Sequence, residues 1–287
     1  MTEIITAFAD ISHRYDAVFC DVWGCFHNGV APLPGAIAAL QAYRAAGGKV
    51  ILLTNAPRPE ASVAAQLDRM QAPTDAWDAI ASSGGAARAA VQRGDWGKRV
   101  YHIGDPDRDE GFFEDTDIER VALDEAETIV CTGLRNDRTE TLADYEDELT
   151  EGAIRRLRFL CANPDLVVDV GTERRLCAGS LAQLYRDKGG EVTEYGKPHA
   201  QIYDYARSVL TGVAGREIAD NRILCIGDGI ITDIKGAVGE DLDSLFITAG
   251  LAAAELNGAD GAPDPGKLAA FVERHMMTPT AAMGLLA

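Results

Sequence analysis

Short apolar runs that end in turn residues, separated by stretches of helical periodicity, constrain this chain more than any other feature. Ala17–Cys20, Val50–Leu53, Ile223–Ile226 and Ser244–Thr248 each read as a strand buried on both faces, since an unbroken apolar run leaves no side for water. Helical patterns lie between them. One runs from Pro34 to Ala46, opened by proline and closed by Gly47-Gly48; another spans Pro59–Met70 with Val63, Leu67 and Met70 at helical spacing; a third covers His199–Leu210. A short strand fits Ala79–Ala81, and a helix starts near Thr232. This alternation predicts a doubly wound α/β core, a parallel sheet covered on both faces, in which ligands bind beyond the C-terminal strand ends.

The middle of the chain differs. Gly94 to Glu151 is rich in acidic residues, clustered at Asp105–Asp117 and Asp124–Glu127, while Ile129–Cys131 and Leu166–Val170 fit strands and Tyr145–Phe159 fits a helix. These predict a second α/β domain over residues 84–193, inserted into a core made of 1–83 and 194–287. A length of 287 residues accommodates two domains.

Asp and Glu number 45 against 27 Lys and Arg, a formal net charge of −18. Such a surface repels a phosphate backbone, so nucleic acid is not an expected partner, and a small anionic substrate requires local cations or a metal. The longest stretch free of charged residues, Val22–Tyr43, is interrupted by His27, Asn28, Pro32, Pro34 and Gln41, so no membrane span is expected. Glu3 and Asp10 precede the first Arg or Lys, Arg14, which is unlike a secretory signal. Six cysteines (Cys20, Cys25, Cys131, Cys161, Cys177, Cys225) form no Cys-x-x-Cys pair and several lie in apolar runs. They read as small buried hydrophobes in a reducing compartment, and the expected location is cytoplasmic.

Two strand ends carry the chemistry. Val18-Phe19-Cys20-Asp21-Val22-Trp23-Gly24 delivers a carboxylate into a turn, and Ile223-Leu224-Cys225-Ile226 runs into Gly227-Asp228-Gly229, with Asp233 shortly after. One such Asp is ordinary turn chemistry; two at the ligand-binding rim of a parallel sheet fit a shared site for a hard cation such as Mg²⁺. Val50–Leu53 ends in Thr54-Asn55, and Gly196-Lys197-Pro198 sets one lysine just before the helix from His199.

In that order the residues resemble the haloacid-dehalogenase (HAD) superfamily of phosphatases and related hydrolases. Asp21-Val22-Trp23-Gly24 stands for its D-x-D-G motif, Thr54 for the second motif, Lys197 for the third, and Gly227 to Asp233 for G-D-x-x-x-x-D. Only 33 positions separate Asp21 from Thr54, while 143 separate Thr54 from Lys197, room for a whole domain. That spacing is similar to the class IIA group, which includes nitrophenyl-, phosphoglycolate- and pyridoxal-phosphate phosphatases. Local stretches agree: Ala81-Ser82-Ser83, Asn163-Pro164-Asp165 and Gly179-Ser180-Leu181-Ala182.

The resemblance implies Mg²⁺-dependent hydrolysis of a small phosphorylated metabolite through an aspartyl-phosphate on Asp21. It implies that Asp21, the carbonyl of Trp23 and Asp228 hold the metal, with Asp233 orienting its water. Thr54, the Asn55 N–H and Lys197 bind the phosphoryl oxygens, and Lys197 neutralises charge beside the nucleophile. Asn163, Asp165 and the loop Gly171–Ser180, with Arg174 and Arg175, read the rest of the substrate from the cap. A cap-mediated homodimer is also in keeping with the family. One residue departs from the pattern: relatives carry a second Asp where this chain has Trp23, and that Asp protonates the leaving oxygen. An indole cannot exchange protons, so His27, in the turn-rich segment after the motif, is the candidate replacement acid. The same departure keeps two alternatives open: a metal-independent dehalogenase-type hydrolase, since dehalogenases carry an aromatic residue there, and a non-catalytic phospholigand-binding protein.

Overall fold

In the computed structural model, which describes residues 2–170, 173–258 and 261–287, the strand Ala17–Asp21 is buried along its whole length inside a seven-stranded sheet. The order across the sheet is Glu3–Ile4, Ala281–Met283, Asp243–Ile247, Ile223–Gly227, Ala17–Asp21, Lys49–Thr54 and Ala79–Ser82, and the first six pair in parallel. On one face Ala17, Phe19, Ile51, Leu53, Ile223 and Cys225 pack with Ile202, Tyr203, Ala206 and Leu210 of the helix Ala200–Ala214. The intervening Val18, Cys20, Val50, Leu52 and Leu224 are buried too. Both faces are therefore covered, which is why these strands read as unbroken apolar runs.

The chain moves outward from Ala17–Asp21 to Lys49–Thr54 on one side, and from Ile223–Gly227 to Asp243–Ile247 on the other. The order reverses between the two neighbouring strands whose carboxyl ends lead to Asp21 and Asp228. At such a switch point the connections diverge to opposite faces and leave a crevice for a ligand.

This sheet belongs to one of two compact units, made of Met1–Thr54, Ala64–Ala81 and Lys197–Ala287; the other comprises Asn55–Val63 and Ser82–Gly196. The second unit has a five-stranded parallel sheet in the order Val192–Glu194, Arg158–Cys161, Thr128–Cys131, Arg99–Ile103, Glu119–Arg120, and an antiparallel pair, Val167–Val170 with Glu173–Leu176. Its core gathers Ile129, Phe159, Tyr145, Leu149, Leu181 and Tyr185. Asn55–Val63 joins this unit through polar contacts. The Glu60 carboxylate accepts from the Ser82 hydroxyl at 3.1 Å, and the Gly84 N–H donates to the Ala56 carbonyl at 2.9 Å.

Three segments differ from the sequence expectation. The helix expected over Tyr145–Phe159 covers Glu146–Ile154; Arg156 takes a left-handed conformation (φ 57°), and Arg158–Cys161 is a strand whose apolar residues the sheet takes instead. The helix expected to stop at Leu210 runs to Ala214, where Gly215 (φ 67°) ends it. The helix expected near Thr232 opens with a wide π-type turn over Ile230–Ile234, the Ile234 N–H reaching the Gly229 carbonyl, before the α-helix Lys235–Gly239. Such turns recur at functional sites, and here the turn directs Asp233 back toward the sheet rim. Among the described residues no helix is long and apolar enough to cross a membrane.

Candidate active site

Four charged side chains of the first unit converge at the switch point, and all are buried: Asp21, Lys197, Asp228 and Asp233. The Lys197 ammonium donates to Asp21 Oδ1 at 2.5 Å, to Asp233 Oδ1 at 2.6 Å and to the Leu53 carbonyl at 3.1 Å. Asp233 Oδ2 accepts in turn from the Gly229 N–H and the Thr232 hydroxyl, both at 3.1 Å. Asp228 Oδ2 accepts from the Leu251 N–H at 2.9 Å. Each carboxylate is thus oriented by backbone or by the shared lysine.

The sum of charges is unbalanced. Three carboxylates face one ammonium in a site nearly closed to water. Burial raises the Asp21 carboxyl well above its ordinary value despite Lys197, with the Asp233 and Asp228 charges adding to the rise. Burial, then the charge of Asp233, pushes Asp228 up to about 7. Burial alone would lower Lys197, but Asp21 and Asp233 override it and hold the ammonium charged. Two surplus negative charges in a low-dielectric pocket match a divalent cation.

The geometry passes the same test. Ligand atoms of Asp21, Asp228 and Cys25 lie within 4.8 Å of one another. The Asp228 carboxylate is seated against two glycines. A Cβ on Gly24, which has φ +80°, would fall 2.2 Å from Asp228 Oδ2, and one on Gly250 would fall 1.9 Å away. The backbone has been cleared of side chains around this carboxylate, and the residues present fit a bound divalent metal.

Cys25 is the member that sequence reasoning missed. The sequence presents it as a small buried hydrophobe, and all six cysteines are buried and free of disulfides. Yet Cys25 lies among the carboxylates, where burial and then the charge of Asp21 raise its thiol well above the ordinary range. The signal available was its position four residues after Asp21 in a turn that doubles back: the Phe26 and His27 N–H groups both bond the Val22 carbonyl, and the Gly24 N–H bonds the His27 carbonyl.

His27 is buried in that turn. Its Nδ1 accepts the Gly29 N–H at 2.9 Å, so the ring proton sits on Nε2, and burial lowers its pKa below the usual 6.5. The imidazole holds the turn together. Trp23 is 46% exposed, its ring edge-on to His27 at 5.7 Å and close above Gly29, where a Cβ would come within 2.5 Å. Thr54 ends the strand Lys49–Thr54 beside Asp21, whose register partner is Leu53.

The remaining expected residues lie in the second unit. The Asn55 side-chain amide donates to Asp165 Oδ1 at 2.9 Å, and Asn163 Oδ1 accepts from the Asp165 N–H at 3.0 Å, so these three form one cluster. Arg174 and Arg175 stand on the strand Glu173–Leu176 and, with Asp137, Arg138 and Glu173, line a pocket of about 330 Å³. Arg175 is paired with Asp137 at 3.4 Å and Glu173 at 2.8 Å. The expected loop Gly171–Ser180 begins at residues 171 and 172, which lie outside the described residues; from Ala178 it is helix.

Comparison with known proteins agrees with this architecture. Residues 18–119 match a family model described as haloacid dehalogenase-like hydrolase, and residues 194–270 match a HAD-hydrolase-like model. No curated protein matched the chain. Among solved structures the chain is similar to a haloacid dehalogenase-like hydrolase from Brucella suis 1330, with 39% identity over 99% of this chain and 100% of that one and a TM-score of 0.84. Its fold is also that of a p-nitrophenyl phosphatase from Archaeoglobus fulgidus (20% identity, 94% and 96% covered, TM-score 0.72). A glycerol phosphate phosphatase from Mycobacterium tuberculosis, solved in complex with calcium, shares the fold as well (22% identity, 85% and 69% covered, TM-score 0.65). With a relative of this identity aligned along nearly its whole length, the chain belongs to the haloacid dehalogenase-like hydrolase family.

Proposed function

We propose that this hydrolase cleaves small phosphorylated metabolites with Asp21 as nucleophile and Mg²⁺ as cofactor. The observation that carries the reading is the buried Lys197 ammonium bridging Asp21 and Asp233 beside Asp228. Lys197 holds one Asp21 oxygen, fixing the carboxylate's orientation, and remains charged to stabilise negative charge gathering at phosphorus. Asp21 attacks phosphorus and forms an acyl phosphate, dividing the hydrolysis into two easier displacements. Asp21, Asp228 and the Trp23 carbonyl would hold the metal, whose charge lets a carboxylate approach a phosphate dianion. Asp233 positions both Lys197 and the Gly229 turn leading from Asp228. The Thr54 hydroxyl and the Asn55 N–H are assigned to the phosphoryl oxygens.

We read residues 84–193 as the inserted cap and 1–83 with 194–287 as the catalytic domain. Asn163, Asp165, Arg174 and Arg175 are assigned to recognition of the rest of the substrate. Similarity in fold to a p-nitrophenyl phosphatase and a calcium-bound glycerol phosphate phosphatase supports a phosphoryl substrate and a divalent metal.

The test is phosphate release from 4-nitrophenyl phosphate with and without Mg²⁺, followed by acid quenching and mapping of the trapped phosphoryl group. Mg²⁺-dependent release with label on Asp21, and none in a folded Asp21→Asn variant, is expected. Release that survives Asp21→Asn would overturn the covalent role, and release indifferent to chelator would overturn the metal.

A further inference from the structure

Cleaving an alkyl phosphate leaves an alkoxide, which must be handed a proton as it departs, and positioned acids are worth typically 10²–10⁴-fold in such steps. Among the described residues of the first unit, the side chains gathered around Asp21 are each engaged elsewhere or unable to give up a proton. Trp23 occupies the exposed turn two residues beyond Asp21, and an indole does not exchange protons near neutrality. His27 is 1% exposed; its Nδ1 takes the Gly29 N–H, and its one ring proton, on Nε2, sits on a ring closed off from solvent inside the turn. The Lys197 ammonium has three hydrogens and three acceptors: Asp21, Asp233 and the Leu53 carbonyl. Asp233 accepts from Lys197, the Gly229 N–H and the Thr232 hydroxyl, and Cys25 and Asp228 lie with Asp21 in the group that could hold a metal.

Building on the phosphatase reading, we propose that the substrates are phosphoryl compounds whose leaving group departs as a stable anion: acyl phosphates, phosphoanhydrides or phosphates of acidic hydroxyls. In the first step an Asp21 oxygen bonds to phosphorus, and the bond from phosphorus to the leaving oxygen breaks. The leaving group carries off that electron pair as carboxylate, phosphate or phenolate, with no proton required. In the second step water adds to phosphorus and the Asp21 carboxylate leaves. Both water protons end on the product, dihydrogen phosphate. The leaving group of this second step is itself a carboxylate, so the site already works without an acid there and asks the same property of its substrate.

The experiment compares acetyl phosphate, 4-nitrophenyl phosphate, phenyl phosphate and glycerol phosphate with Mg²⁺, each corrected for spontaneous hydrolysis. It uses the wild-type protein and the Trp23→Phe, Trp23→Asp and His27→Asn variants. In the wild type kcat/KM should fall by at least about 100-fold from the acyl and nitrophenyl compounds to the alkyl one. Trp23→Phe and His27→Asn should keep that steepness, and Trp23→Asp should narrow it by raising the alkyl rate. The wild-type series decides the matter even where a variant does not fold. Alkyl and nitrophenyl rates within about tenfold of each other would overturn the proposal. So would a selective loss of alkyl turnover in His27→Asn, which would identify His27 as the acid. Failure to release phosphate from any member would instead sink the phosphatase reading on which the proposal stands.

Discussion

Gly24 shows how a single residue is dictated from two directions. Its φ of +80° disfavours any side chain, and the space where a Cβ would go is filled by the Asp228 carboxylate. Gly24→Ala should therefore cost about 1–2 kcal/mol from the backbone alone. It should also displace Asp228, so that Mg²⁺ no longer raises the melting temperature. A Gly24→Ala protein with an unchanged metal-induced shift would show that Asp228 is not a ligand. The glycine was legible in the sequence as part of a motif; the reason for it, a carboxylate from 204 positions away pressed against the turn, was not.

At the scale of the elements, polar stitches tie helices and strands to their places. Asp78 is largely buried. It accepts from Arg44 Nε and a terminal guanidinium nitrogen at 2.9 and 2.7 Å, and from the Val50 N–H at 2.8 Å, joining the helix Pro34–Ala45 to the strand Lys49–Thr54. Burial works to raise the Asp78 carboxyl, but the Arg44 and Val50 hydrogen bonds outweigh it and hold it below its ordinary value. Its contribution is therefore present above about pH 4 and lost in stronger acid. Asp78→Ala should lower stability by about 1–3 kcal/mol in urea unfolding at pH 7, because it leaves the buried Val50 N–H unpaired and the half-buried Arg44 guanidinium without its carboxylate. In the second unit, the Thr132 hydroxyl donates to Asp109 at 2.6 Å and so accepts from His102 Nε2 at 2.9 Å. Burial, which outweighs the opposing charge of Asp109, lowers His102 to about 4. The fold favours the neutral ring, so the stability it contributes is complete above about pH 6.5 and drains away as the pH falls toward 4. His102→Gln should flatten that acid limb, by an amount of order 2–3 kcal/mol. An unaltered limb in stability measured from pH 7 to pH 4 would place the acid-sensitive group elsewhere.

Over the whole molecule, the proposed metal would make stability depend on the cation, since it would offset the surplus negative charge at the switch point. A ligand present at about 100 times its Kd adds roughly 2.7 kcal/mol, so Mg²⁺ should raise the melting temperature by several degrees and chelator should reverse the rise. Asp228→Asn, which removes one of the crowded charges, should be more stable than the wild type in chelator and less responsive to Mg²⁺. Thermal unfolding with and without the metal checks both, and equal responses in the two proteins would mean that the cation binds at another place. The sequence by itself determined the α/β class and five of the seven strands of the first sheet, because strands buried on both faces carry short apolar runs; Glu3–Ile4 and Ala281–Met283, too short to show a pattern, were not legible. It also brought forward Asp21, Lys197, Asp228 and Asp233, the charged residues that the first unit gathers at its switch point, since their order and spacing are written along the chain. Only the tertiary structure decided the rest. The helix expected to run to Phe159 stops at Ile154 because the sheet of the second unit claims the apolar Phe159–Cys161. Cys25 enters the carboxylate cluster, and the His27 ring turns to its own loop, because both follow the path of one tight turn. Side-chain direction in a turn depends on backbone hydrogen bonds and on neighbours distant in sequence, and no local pattern of residue types encodes these.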